Sequence, residues 1–576
     1  MIYPPNLRDY RADREDFRLE IPEFYNFGFD VIDGRAASAD KEAFIYVPTS
    51  GEPIERHRYS DLSAASNRFA NVLRSLGAAK GDFALLQIPR VPAFYQVLIG
   101  CIKAGVVAIP GTVLLTAKDM AYRIDKSRAR IAIVTAEHAD KVDQAAAECP
   151  TLEQRIVIGG DSSGVSGGGE RPGWTSFEAA CAEASPDLSR DDVEPSRAED
   201  LMLAYFTSGT TSHPKMVPRN HSYALAHVIT GHYWMDLRQS DVHWTLSDTG
   251  WAKAAWGMVF PPFLAGAATV LYDAPPGFDA DAHLRLVEKL AVTTFCAPPT
   301  VFRIFAQTDL SQYKLGSIRH TFSAGEPLNP EAIRVWHEAT GAMPHDGYGQ
   351  TETVNIVANY PGVPIRPGSM GLPVPGMDVN IIDDDGNILP DGEVGHIAVR
   401  TGSGPTGGDD TGGGAQDKHW PPGLFRGYYE DPEGTAKSFR NGWYYTGDTA
   451  TRDADGYIWF VGRSDDIISS ASYRISPFEV ESALQEHPAV AESAVVAKPD
   501  PLRGEIVKAY VILAPGSEPS EALKTEIQNF VKQQTAPYKY PREIEFRDAL
   551  PKTISGKIRR TELRDEARAE AKPQGE

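Results

Sequence analysis

The sequence predicts an α/β fold: a large N-terminal domain of parallel α/β sheets plus a small antiparallel β-barrel, followed by a small α+β C-terminal domain. Three observations carry this. First, β-rich runs recur with helical patterns between them: FALLQI (83–88), VVAIPG (106–111), ARIAIVTA (129–136), QRIVIGG (154–160), LMLAYF (201–206), AATVLYD (267–273) and VTTFCAP (292–298). Such alternation implies parallel sheets with helices packed on them. Second, from 377 to 400 the texture changes to MDVNIIDDDGNILPDGEVGHIAVR, where Asp-Gly turns separate short strands of an antiparallel sheet or distorted barrel. Third, the composition changes again after Arg463: a helix near Ser476 to Glu486, strands AVAESAVVA and EIVKAYVILA, a helix from Ser520 to about Gln534, then a basic tail. The expected domains are 1–464 and 465–576.

Within the first domain, Val91 to Leu115 (VPAFYQVLIGCIKAGVVAIPGTVLL) is long enough to span a bilayer and has Lys103 as its only charge. Pro110 and three glycines interrupt it, and FALLQI just before it already reads as a strand, so a buried strand, helix and strand fit better than a span. Two glycine-rich patches, 160–173 and 401–417, are too poor in apolar residues to fold alone and read as surface loops.

The chain has 576 residues, 42% of them hydrophobic, enough for substantial cores. Its 57 basic and 78 acidic residues give a net charge of −21, which argues against a general binder of nucleic acids or anionic membranes. An anionic ligand therefore needs a local site. Cys101, Cys149, Cys181 and Cys296 lack CxxC or Cys/His ligand spacing and read as buried thiols in a reducing compartment. The segment MIYPPNLRDYRADRED carries acids and prolines and no apolar core, so a secretory signal or Arg-rich transit peptide is not expected. These features point to a cytoplasmic protein without stable membrane insertion. They leave the oligomeric state open, a homodimer included.

The stretch YFTSGTTSHPKMV (205–217) follows the strand-like LMLAYF. Backbone N–H groups around Gly209 form a cradle for oxyanions, Ser and Thr hydroxyls add donors, and Lys215 supplies a point charge. This is not a Walker A motif, because Pro214 replaces its second glycine and Met216 the Ser/Thr that would hold magnesium. Taken alone, such a loop is most often a solvated turn. Further segments add weight: FSAGEPL (322–328), DGYGQTET (346–353), YYTGD (444–448), GRSDDIISSASYRI (462–475) and PKTISGKIRR (551–560).

Together these motifs resemble the adenylate-forming superfamily of acyl-CoA synthetases, firefly luciferase and nonribosomal peptide adenylation domains, over nearly the whole chain. TAPYKYPREIEF, DPLRGEIVKAY and SDTGWAKAAWG look closest to the medium-chain acyl-CoA synthetases. The resemblance implies an N-terminal AMP- and acyl-binding domain, a mobile C-terminal domain, and ATP, Mg²⁺ and CoA as cofactor and co-substrates. The partners it implies are a small carboxylic acid, ATP and CoA, with no nucleic acid.

By the family pattern, Thr207, Ser208, Gly209, Thr210, Thr211, Ser212, His213, Pro214 and Lys215 grip the β- and γ-phosphates. Thr351 donates to the α-phosphate and Glu352 holds Mg²⁺. Asp448 accepts from the ribose hydroxyls and Arg463 binds the ribose and phosphate side. Gly325, Glu326 and Pro327, with Asp346, Gly347, Tyr348, Gly349 and Gln350, surround adenine and the acyl carboxylate. Lys557 bridges that carboxylate to the α-phosphate, although a lysine in a basic tail is ordinarily just solvated. Rotation about a hinge at Asp465 withdraws Lys557 for the second half-reaction. Ala471, Ser472 and Tyr473 then line the pantetheine tunnel, Arg474 contacts phosphate or positions the domain, and Arg503 and Lys532 meet the CoA phosphates.

Ser212 and Ser472 stand where the family usually has glycine, which puts rates in doubt more than reaction class. Acetate-specific relatives carry a tryptophan where this chain has Gly349, so a deeper pocket is expected, with Trp251 as one wall and a medium-chain, branched or aromatic acid as substrate. An enzyme that passes its acyl group to a carrier protein is the alternative.

Overall fold

The computed structural model describes residues 5–159, 171–207, 214–325, 330–401, 420–470, 473–552 and 558–571. It divides into two compact units: residues 1–207, 215–378 and 407–435, and residues 208–214, 379–406 and 436–576.

The first unit holds two sheets. One has seven strands in the order Thr175–Ser176, Gln154–Ile158, Ile131–Thr135, Phe83–Gln87, Val107–Pro110, Leu201–Phe206 and Met216–Asn220. All pairings are parallel except the last, a hairpin. Its central strands are buried along their whole length, as expected of strands covered by helices on both faces. The expected strand, helix and strand stand at Phe83–Gln87, Pro92–Ala104 and Val107–Pro110, the helix ending at Gly105 with φ +73°. Lys103, fully buried in it, is matched by Asp33 and the Asn67 side chain, each at 2.6 Å, so its charge is paired rather than lipid-facing. Among the described residues no helix is long and apolar enough to cross a membrane.

The second sheet has nine strands, with a parallel centre and antiparallel pairings toward both edges. One edge brings His320–Ala324, Pro344–Gly349 and Asn355–Ala358 side by side, so segments distant in sequence deliver their strand ends to one place. Ligands of open α/β sheets bind at such strand ends.

The second unit contains an antiparallel sheet of Val379–Ile382, Gly395–Arg400, Trp443–Arg452, Phe439–Arg440 and Ile458–Arg463. Its other sheet pairs Val490–Asp500 with Gly504–Leu513, carries Glu543–Phe546 in parallel, and is covered by helices Pro477–Gln485 and Glu521–Gln534. Both helices begin where the sequence signals it, with Ser476 and Ser520 side chains accepting from backbone N–H groups of the first turn.

Candidate active site

In the first unit, the hairpin that joins Leu201–Phe206 to Met216–Asn220 is closed at its base by Thr207 N–H donating to Lys215 O (2.9 Å) and Lys215 N–H donating to Thr207 Oγ1 (3.2 Å). Ser208, Gly209, Thr210, Thr211, Ser212 and His213 lie outside the described residues. The Lys215 ammonium sits 4.3 Å from the centroid of the Tyr428 ring, and the Tyr428 hydroxyl donates to Glu352 Oε1 at 2.9 Å. Arg219, on the returning strand, donates to the carbonyls of Glu352 (2.8 Å) and Gly423, and Phe425 N–H donates to the same Glu352 carbonyl (2.8 Å). The base of this hairpin loop and the Glu352 segment are thus physically linked. A carboxylate is a hard oxygen donor of the kind Mg²⁺ takes alongside substrate phosphates, so the buried Glu352 side chain fits that ion.

Glu352 follows a turn in which Gln350 N–H donates to Thr353 Oγ1 (2.9 Å) and Thr353 N–H to Gln350 O (3.2 Å); half-exposed Thr351 sits at its tip. Upstream, the strand Pro344–Gly349 carries Asp346, Gly347, Tyr348 and Gly349. Asp346 accepts from Gly347 N–H (2.9 Å); burial pushes its carboxyl up to about 7, with that N–H and the Lys253 charge opposing. Lys253 itself donates to Ala324 O (3.1 Å), one residue before Gly325, whose φ of +104° lies in a region open to glycine and whose missing Cβ faces open space. Glu326 and Pro327 lie outside the described residues.

Gly347 and Gly349 are small because indoles lie against them: a methyl group at either would overlap Trp234 or Trp256, respectively. Trp251 is half-buried and caps a short helix, its carbonyl accepting from Ala254 N–H (2.8 Å).

In the second unit, Asp448 and Arg463 are directly opposite across an antiparallel ladder, with Nη1 3.5 Å from Oδ1. Asp448 is 5% exposed whereas the Arg463 side chain is 46% exposed, so the arginine has room to reach a ligand. Arg463 also approaches Asp465 at 3.8 Å. Arg564 donates to the Asp465 carbonyl and to Asp466 Oδ1 (3.0 Å). The Tyr473 ring stacks on Tyr538 at 4.1 Å, Lys532 lies 4.0 Å over Tyr540, and exposed Arg503 sits in the turn after Asp500. Arg474 pairs with Ser469 in a short hairpin. Ala471, Ser472 and Lys557 lie outside the described residues.

Three residues around the expected site went unassigned in the sequence: Arg219, Tyr428 and Trp256. Tyr428 follows a glycine-rich stretch in RGYYEDP, where an aromatic pair beside an arginine was the available signal.

Two family models match the chain, that of the AMP-binding enzymes over residues 33–407 and that of the AMP-binding enzyme C-terminal domain over 479–557. The mitochondrial acyl-coenzyme A synthetase ACSM3 of Mus musculus is 42% identical over 573 residues, 97% of this chain and 94% of that protein. The mitochondrial acyl-coenzyme A synthetase ACSM5 of Homo sapiens is 43% identical over 95% of this chain and 92% of its own length. Among solved structures, an anthranilate CoA ligase, AuaEII, in complex with anthranoyl-AMP superposes with a TM-score of 0.83 at 32% identity, covering 96% of this chain and 99% of that one. A benzoate CoA ligase from Burkholderia xenovorans LB400 superposes at 0.77 with 28% identity, covering 94% and 100%.

These relatives correct one expectation. The matched synthetases are mitochondrial proteins, which overturns the cytoplasmic assignment drawn from the cysteines and the N-terminal segment. Free thiols mark a reducing environment, and more than one compartment provides it.

Proposed function

We infer what this chain does from its membership: it belongs to the AMP-binding enzyme family, and within that family to the acyl-coenzyme A synthetases. It is an ATP-dependent, AMP-forming acyl-CoA ligase of the medium-chain type, acting on a medium-chain, branched or aromatic acid. A carboxylate oxygen attacks the α-phosphorus of ATP, the bond to the β-phosphate breaks, and pyrophosphate leaves. The sulfur of CoA, having lost its proton, then attacks the acyl carbon, and AMP leaves with the electrons of the C–O bond.

The observation that carries this is the chain Lys215, Tyr428, Glu352. It holds the Lys215 cation over the face of one phenol and a carboxylate suited to magnesium at its hydroxyl. The first half-reaction brings two anions together, so it needs converging positive charge and donors. Lys215 and Thr207 act on the departing phosphates, with Pro214 and the intervening loop, and Thr351 donates to the α-phosphate. Glu352 would hold Mg²⁺, which would supply positive charge against the phosphates. Asp448 takes the ribose hydroxyls through its two acceptor oxygens, and Arg463 lies beside it for the phosphate side. Gly325, with Glu326 and Pro327, and the strand Asp346 to Gln350 border adenine and the acyl group; Trp251 forms part of the acyl wall.

Lys557 bridges the two reacting anions in the first step, and a turn at Asp465 withdraws it for the second. The 465–576 segment is then the moving body. Ala471, Ser472, Tyr473 and Arg474 border the thiol path, and Arg503 and Lys532 take CoA phosphates. Transfer of the acyl group to a carrier protein is the second reading.

The test is a panel of acids from acetate to dodecanoate plus benzoates, followed by ATP–pyrophosphate exchange and then by CoA-dependent AMP release. Exchange with release on CoA addition supports the ligase; exchange without it supports the carrier reading. Preference for acetate contradicts the pocket assignment. Lys557→Ala loses most of the exchange and keeps thioesterification of supplied acyl-AMP; equal losses in both contradict its assignment.

A further inference from the structure

Behind Gly349 the core of the first unit contains two polar atoms with no hydrogen-bond partner, His227 Nε2 and Asn355 Nδ2, next to a phenol, Tyr223, that interacts with the indole of Trp256. Tyr223, His227 and Asn355 are 0% exposed and Trp256 is 6% exposed. Buried polar groups are almost always paired, so two neighbouring orphans beside a phenol mark a place where a partner belongs.

They are neighbours. The Tyr223 and His227 rings meet edge to face at 4.5 Å between centroids, and the His227 and Trp256 rings are 6.3 Å apart. Asn355 joins them through Thr230, whose hydroxyl donates to Asn355 Oδ1 at 2.7 Å and meets His227 Nδ1 at 3.2 Å.

This bridge fixes the polarity of the set. Thr230 has one proton and gives it to Asn355, so toward His227 it accepts. His227 Nδ1 therefore carries the imidazole proton and Nε2 is a bare acceptor. Burial first, and the nearby Arg219 charge second, hold that imidazole far below its ordinary range, hence neutral. With Asn355 Oδ1 committed to Thr230, its NH₂ is a donor without an acceptor. The cluster offers an acceptor, a donor and a phenol, with the Arg219 guanidinium 3.8 Å from the Tyr223 ring centroid. A hydroxyl group, which donates once and accepts twice, complements it; a methyl group leaves both orphans unpaired.

The cluster adjoins the expected acyl pocket. Asn355 is paired directly opposite Gly349 across the sheet, and the far edge of the Trp256 indole lies against Gly349. On the reading that Gly349 borders the acyl pocket, we propose that Tyr223, His227, Trp256 and Asn355 form a buried polar subsite at its remote end, which receives a hydroxyl substituent of the acid. The preferred substrates are then hydroxylated aromatic or aliphatic acids. A fixed water molecule has the same chemistry and is the competing occupant.

The experiment compares kcat/KM in pyrophosphate exchange for isosteric pairs, each hydroxybenzoate against the methylbenzoate of the same position, and terminal hydroxyalkanoates against the alkanoates one carbon longer. A site built to hydrogen-bond a hydroxyl rejects its isostere, so at one position the hydroxyl member is expected to be favoured by about tenfold or more. Tyr223→Phe, which removes only an oxygen, and His227→Phe, which keeps a ring against Phe260, are expected to pull that ratio toward one. A wild-type preference for the methyl member at every position overturns the proposal and assigns the cluster to water, as does a ratio unmoved by both variants. Exchange with none of the acids overturns the ligase reading together with the subsite, whereas exchange without hydroxyl preference overturns the subsite alone.

Discussion

The hydroxyl of Tyr428 donates to Glu352 Oε1 at 2.9 Å while the face of the same ring carries Lys215. The phenol thus holds a cation on its face and a carboxylate at its hydroxyl. Tyr428→Phe preserves the face and deletes the bond to the carboxylate. Loss of one hydrogen bond to a charged group is worth about 1.5–3 kcal/mol, so kcat/KM for ATP is expected to fall by about tenfold or more, with higher Mg²⁺ restoring part of it. A magnesium titration of pyrophosphate exchange checks this; a magnesium-independent loss contradicts the role given to Glu352.

Gly349 is bounded by the Trp256 indole and the Val354 carbonyl, so a Cβ at this position has no space. Gly349→Ala should destabilise the first unit by about 1–3 kcal/mol, as overpacking does. Trp256→Ala in the same chain should not restore it fully, because the backbone oxygen remains. Urea unfolding of the single and double variants measures both; full rescue would locate the entire clash in the indole.

Asp346 gives a pH dependence with a definite sign. Its folded carboxyl is pushed up to about 7 by burial, against about 3.9 in an unfolded chain. The native state therefore holds the extra proton between these values, and this contribution to stability is full below about 4 and lost as pH rises through about 7. Asp346→Asn cannot lose it. The Tm of the variant relative to the parent should climb between pH 5 and 8 and level off above; parallel curves would mean the carboxyl is charged throughout.

In the second unit Glu481, 4% exposed, accepts from Arg560 at 2.6 and 3.1 Å and from Val495 N–H at 2.8 Å. Burial raises its pKa and Arg560 opposes that rise. Removing one partner of a buried pair strands the other, so Arg560→Met is expected to cost about 3–5 kcal/mol, and adding Glu481→Gln to recover part of it. Because Arg560 opens the helix Arg560–Ala571, which follows the segment bearing Lys557, adenylation should weaken along with stability. Chemical denaturation and exchange assays on both variants test the two effects.

What the sequence made legible was whatever is written locally. All seven β-rich runs of the first domain became strands, because an apolar run bounded by turn residues needs no distant partner to be recognised. Ser476 and Ser520 marked helix starts for the same reason. The strands Glu42–Val47 and Glu55–Arg58 were missed; Glu42–Val47 joins the nine-stranded sheet by pairing with Ala268–Tyr272, more than two hundred residues on, and Glu55–Arg58 pairs with Glu42–Val47 at the edge. Tyr428 was missed similarly, since its partner Glu352 is 76 positions away. Motifs such as DGYGQTET pointed to one wall of the candidate site, whereas Arg219 lies outside the quoted motifs and Trp256, although it lies in SDTGWAKAAWG, was given no role there.

The cysteines have a practical corollary. Cys101, Cys149 and Cys296 are buried and Cys181 is half-buried, with burial raising every one of these thiols, Cys181 up to about 12. Thiolates react and thiols do not, so the native chain is a quiet background for maleimide chemistry. Paired fluorophores on cysteines introduced either side of Asp465 can then follow the postulated swing turnover by turnover, with no native sulfur to remove first.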